Sequence, residues 1–192
     1  MNILSLFVII PLIMMAIIFC IDGEKKSMIR MVMSIGGFAL LATSAYLTVE
    51  YLAAREAGDM AEFLFTDSIL WYETFNIHYA VGVDGVSVAM LLLSSIVVIT
   101  GVFVSYSIEE QTKEYFLWFL LLSIGVYGFF ISLDLFTMFL FYEVALIPMY
   151  LLIGLWGSGK KEYSAMKLTL MLMGGSAFLM VGIFGIYYLS VP

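Results

Sequence analysis

The sequence predicts an all-α polytopic membrane protein with six transmembrane helices, and three observations carry that prediction. Of 192 residues, 64% are hydrophobic and only 12% charged. A water-soluble fold with a surface already about 55–60% apolar could not hide that excess. Several apolar runs also reach about 18 residues or more, enough at 1.5 Å per residue to cross a hydrocarbon layer roughly 30 Å thick. Finally, most acids behind the net charge of −7 fall between those runs.

The same balance narrows the function classes. No basic cluster suggests nucleic acid. The one cysteine, Cys20, leaves no disulfide, cysteine-rich metal site or cluster within this chain, and it reads as a small buried hydrophobe. The chain divides into two N-terminal helices (1–51), an outer-side section with short strands (52–85), a third helix with its loop (86–113), and helices four to six (114–192).

The first span is about Ile3 to Ile21. Without a basic leader or a small-residue cleavage site, it reads as a retained helix. Lys25, Lys26 and Arg30 follow it, and positive residues at span ends mark the cytoplasmic side, so the N-terminus is expected outside. The second span runs from about Met28 to Tyr51. The section after it sets six acids against Arg55, which fits the outer side, and Phe75 to Val83 has the aromatic and β-branched character of a strand. His78, within it, reads as an ordinary polar residue.

Asp84 or Ser87 is placed to cap the third span, which ends near Ser107. Its loop, SIEEQTKEY, carries three acids and Lys113, so alternation from neighbouring loops sets its side. Tyr115 to Trp156 then gives 42 nearly unbroken apolar residues, roughly 63 Å of helix and twice the hydrocarbon thickness. It must fold into two spans at Ser132-Leu133-Asp134, with Asp134 capping the fifth. Lys160 and Lys161 return the chain to the cytoplasm before a sixth span of about Tyr163 to Leu189. Six helices then leave both ends on the outer side of the membrane.

The fifth span, DLFTMFLFYEVALIPMYLLIGLW, holds one acid, Glu143, with no counter-charge within a helical turn. A carboxylate at that depth costs about 2.5–3.5 kcal/mol on the lenient insertion scale. Pro148, five residues on, lacks the N–H that would bond the Val144 carbonyl. An ionisable group in a span faces protein or water, and proton relays are one common reason. The plainer alternative is an acid kept neutral and hydrogen-bonded as a packing polar. Lys167, about one turn into the sixth span, can snorkel to water or serve the same path. Gly174-Gly175-Ser176 is a small-residue patch that permits close helix approach.

Two stretches carry a resemblance: VGVDGVSVAMLLLSS, and FYEVALIPMYLLIGLWGSGKKEYSAMK, with its FYEVALIPMY core. They resemble the antiporter-like membrane subunits. That family includes the M, L and N subunits of bacterial NADH–quinone oxidoreductase (respiratory complex I), chloroplast counterparts and large Mrp-type sodium/proton antiporter subunits. The match is strongest to the M branch. The resemblance implies around fourteen helices, with two inverted five-helix repeats starting at the fourth and ninth. Here the last three helices would begin the first repeat. It further implies that Glu143 belongs to a proton path and pairs with a lysine of a seventh helix, while Lys167 matches a basic position opening the sixth. The seventh and eighth helices and the second repeat are not in this sequence, so a fragment or a split gene is expected, with the remaining half as a partner.

The implied function is a proton-translocating membrane-arm subunit of the oxidoreductase, beside other membrane-arm subunits in the bilayer. It would be a non-redox part of the enzyme, with no NADH, flavin or iron–sulfur cofactor, since no motif for them is present. Two alternatives stand beside it: an Mrp-type cation/proton antiporter subunit, and a scaffold in which Glu143 only fixes helix packing.

Overall fold

The computed structural model describes residues 3–58, 61–72 and 77–190. Phe75, at the start of the expected strand, and Pro192 lie outside the described residues. Among the described residues six helices are long and apolar enough to cross a membrane. They are α1 (Leu6–Cys20, entered through a 3-10 turn at Ile3–Ser5), α2 (Lys26–Glu56), α3 (Gly85–Val104), α4 (Thr112–Ile131), α5 (Leu135–Trp156) and α6 (Lys161–Ser190). A two-stranded antiparallel hairpin, β1 (Leu64–Tyr72) and β2 (Ile77–Val83), joins α2 to α3.

α1 packs against α2 and α4, α2 against α3, α4 against α5, and α5 against α6. Phe7, Pro11, Met14 and Ile18, spaced three to four apart, form the buried stripe of α1. Cys20 falls off that stripe and is exposed, not buried as its residue type suggested. At two residues beyond Ile18 it is turned some 200° from the packed face.

α2 continues five residues past the expected Tyr51. Its last turn is rich in helix-favouring alanine and arginine, and Arg55 donates to the Tyr51 hydroxyl at 3.0 Å with its guanidinium over that ring. The hairpin then covers one end of the bundle. Leu64, Val81 and Val83 join Leu4, Phe7, Leu40, Leu47, Tyr127 and Ile131 in one core. β2 also reaches the α4–α5 turn, where the Leu133 N–H donates to the Ala80 carbonyl at 2.8 Å.

Two aspartates start helices at this end. Asp84 accepts from the Ser87 N–H at 2.7 Å, and Asp134 from the Thr137 N–H at 3.0 Å and its hydroxyl at 3.1 Å. The Ser87 bond holds the Asp84 carboxyl below its ordinary range. A depressed native pKa stabilises the fold above the unfolded value, and the gain is lost as pH falls through the native one. Asp84→Ala should therefore lower stability by about 1 kcal/mol at neutral pH. In thermal unfolding of the detergent-solubilised protein, the difference from wild type should shrink below the ordinary carboxylate range.

At the other end the cations bind carbonyls. Lys26 Nζ donates to Glu109 O at 2.7 Å, Arg30 to Ile108 O at 3.2 Å, and Lys113 to Phe19 O at 2.9 Å and Ile21 O at 2.7 Å. Trp156 Nε1 donates to Glu110 O at 3.1 Å. These bonds bring the α1–α2 and α3–α4 loops and the end of α5 together, so the lysine- and arginine-bearing loops share one end.

Candidate functional site

Glu143 is the ninth residue of α5, a helix of 22 residues, which puts it well inside the span. Its position follows from how α5 meets α4. Gly125 and Gly128 of α4 present no side chain, and Ala145 and Phe141 of α5 fill those places. A Cβ built on Gly125 would lie 2.7 Å from Ala145 Cβ and 2.9 Å from the Phe141 carbonyl oxygen. Residues 141 and 145 stand on one helical face, and Glu143, midway between them in sequence, turns to the opposite side.

There it lines an open cleft of about 410 Å³ between α5 and α6, together with Leu140, Val144, Ile147, Tyr150, Thr169 and Met173. Glu143 is half-buried, and among the described residues no hydrogen bond or ion pair engages its carboxylate. α5 stays helical through Pro148, which is buried; the ring removes one backbone bond one turn beyond the acid without ending the helix. The cleft is therefore a recess within the span with one carboxylic acid, one phenol and one aliphatic hydroxyl in its lining.

Lys167 is not part of it. It is exposed on α6, and the residues of that helix that line the cleft are Thr169, two positions further on, and Met173. Two positions on a helix are about 200° apart. A side chain at Gly174 or Gly175 would meet nothing within 4 Å among the described residues, while Ser176, the third member of that patch, is buried. Sequence reasoning passed over Tyr150 and Thr169. The signal for Tyr150 was its spacing of seven from Glu143, two turns along the same face.

The comparisons bear on this region directly. Residues 132–191, spanning α5, the cleft and α6, match the family model described as NADH:quinone oxidoreductase/Mrp antiporter, TM. Over 190 residues the chain is 30% identical to NADH-ubiquinone oxidoreductase chain 4 of Chondrus crispus, covering 97% of this chain and 37% of that one. Over 186 residues it is 27% identical to NADH-quinone oxidoreductase subunit M of Rickettsia bellii (strain RML369-C), covering 96% and 38%. It matches the N-terminal part of the antiporter-like membrane subunits. The fold of this chain also recurs in a chain of the archaeal membrane-bound sulfane sulfur reductase, a respiratory membrane complex. That likeness has a TM-score of 0.75 and 22% identity, over 97% of this chain and 37% of the other. The chain thus spans less than two-fifths of the length of these relatives.

Proposed function

We propose that this chain is the N-terminal part of a proton-translocating membrane-arm subunit of a respiratory NADH–quinone oxidoreductase, with Glu143 as its switchable proton site. The observation that carries the reading is a lone carboxylic acid lining a cleft at membrane depth, in the part of the chain that matches the family model. Burial favours the neutral form of a carboxyl, and a cation within about 4–6 Å favours the charged form. A swing of three pKa units in a carboxyl is about 4 kcal/mol. Carrying one charge through 100 mV takes about 2.3 kcal/mol, so such a swing suffices against a membrane potential.

The cation is supplied by a helix beyond α6, in the remaining half of the fold, and it approaches across the open side of the cleft. Lys167, exposed on α6 outside the cleft, serves as a relay to water through that remaining half of the fold. The subunit itself holds no redox cofactor; its partners are the other membrane-arm subunits and the bilayer. The basic loops face the cytoplasm of a bacterial inner membrane, and the N-terminus lies outside.

Glu143→Gln keeps the volume and polarity but cannot release a proton. Inserted complex carrying it should oxidise NADH in closed vesicles without the wild-type proton yield per electron, measured with a pH-sensitive dye. An unchanged yield would end the proposal. The family description also names Mrp antiporters, and that second reading makes a different prediction. There, the substitution should abolish sodium-dependent proton exchange in vesicles and leave NADH oxidation untouched in rate and yield.

A further inference from the structure

A second recess lies at the basic end, away from Glu143. It is an open pocket of about 530 Å³ lined by Ser27, Arg30, Met31, Ser34, Ile35, Phe38 and Tyr106. Arg30 is half-buried there, one turn into α2. One terminal nitrogen donates to Ile108 O, and the guanidinium lies 5.7 Å from the centre of the Tyr106 ring. Nε is fully buried and, among the described residues, has no hydrogen-bond partner. Among the described residues no carboxylate pairs with Arg30; the one ion pair at this end joins Lys25 to Asp22 at 4.0 Å, and Lys26 is committed to Glu109 O. A half-buried cation with an unused donor and no counter-charge is an incomplete arrangement. The hydroxyls of Ser34 and Tyr106 bond each other at its edge.

What completes it is indicated by the rest of the pocket. Met31, Ile35 and Phe38 follow at i, i+4 and i+7, a single stripe of α2 running from Arg30 toward the middle of the span. All three are more than half exposed, at 60%, 65% and 55%. Phe38 meets Phe103 of α3 edge-on at 6.0 Å, which walls the groove on its other side. Positive charge and hydroxyls at the water level, joined to an apolar groove about two turns deep, match a lipid in both chemistry and shape.

We propose that this pocket is a binding site for one anionic phospholipid, with the headgroup phosphate on Arg30, Ser27 and Tyr106 and an acyl chain along Met31, Ile35 and Phe38. The phosphate supplies the missing counter-charge through charge-assisted bonds. The acyl chain covers a stripe that no helix among the described residues covers.

The test uses the whole membrane complex in vesicles of phosphatidylcholine containing a trace of photoactivatable phosphatidylglycerol, with crosslinks mapped by peptide mass spectrometry. Wild-type complex should crosslink within residues 27–38, and photoactivatable phosphatidylcholine should do so about tenfold less. Arg30→Gln should lower the phosphatidylglycerol yield about tenfold, the loss of roughly one bond to a charged group. Because Arg30 also holds the α3–α4 loop, Ser27→Glu is the second variant. It places a carboxylate beside the guanidinium, leaves the Ile108 bond in place, and should lower the yield as much. Equal labelling by the two lipids would reduce the pocket to general bilayer contact. Loss of labelling with excess inorganic phosphate would make it a free-phosphate site. Absence of labelling in wild type would mean a neighbouring protein fills it. Each of these three results overturns the proposal.

Discussion

A complex carrying Gly125→Leu is expected to lose both the α4–α5 seam and proton translocation. The Cβ alone would stand 2.9 Å from the Ala145 backbone nitrogen and from the Phe141 carbonyl oxygen, closer than real side chains approach. These atoms belong to the helix backbone and cannot swing aside, so α5 must move bodily. Overpacking of this kind costs about 1–3 kcal/mol or more, with little hydrophobic gain between helices in lipid to offset it. Gly128→Ala is the milder change, because its Cβ meets the Phe141 ring, which can turn about χ1. Gly23→Ala in the α1–α2 loop meets nothing within 4 Å and serves as the silent control. Thermal unfolding in detergent should rank the three in that order, and pumping should fail with Gly125→Leu because the wall that seats Glu143 has shifted. Wild-type pumping by Gly125→Leu would show that the α4–α5 seam does not set the site.

Much of the architecture is legible because a bilayer imposes a length and a hydropathy that local sequence must meet. Thus 42 apolar residues can only be two spans, and Ser132-Leu133-Asp134 is where they part. Asp84 and Asp134 cap helices, as short acids before apolar runs do. The features that escape are those decided by neighbours distant in sequence. β1 is rich in strand-formers but becomes a strand through pairing with β2 over the bundle end. The α3–α4 loop, acidic in sequence, is held through its carbonyls by Lys26, Arg30 and Trp156, a use that charge counting does not register. Cys20 is exposed because one-residue steps on a helix move a group by 100°, and no composition rule says which side of α1 meets α2 and α4. At the candidate site, Glu143 announces itself as a misfit in hydrocarbon. Lys167 is legible as a charge in a span, but its place off the cleft is not, nor is Thr169's place in it, because which face of α6 meets α5 depends on packing.

Glu143→Leu separates a proton site from a packing polar most sharply. Leucine has nearly the same bulk, suits the surrounding Leu140, Val144 and Ile147, and removes the cost of holding a carboxylate in the span. That cost is about 2.5–3.5 kcal/mol on the insertion scale, and apolar replacement of a buried ionic group is often neutral or stabilising. The variant is therefore expected to insert and resist thermal unfolding at least as well as wild type, while its proton yield per electron falls as far as that of Glu143→Gln. If Glu143 served packing alone, the order would invert: a chain stabilised by a buried acid would lose stability with leucine and would keep pumping wherever it still folded. Glu143→Asp adds the graded case. Aspartate keeps the ionisable group but withdraws it by one methylene, about 1.5 Å from the cleft. Partial pumping with an altered pH profile is then expected, because the proton site survives while its distance to the approaching cation grows. An aspartate variant no better than glutamine would mean that position, rather than ionisation, limits the step.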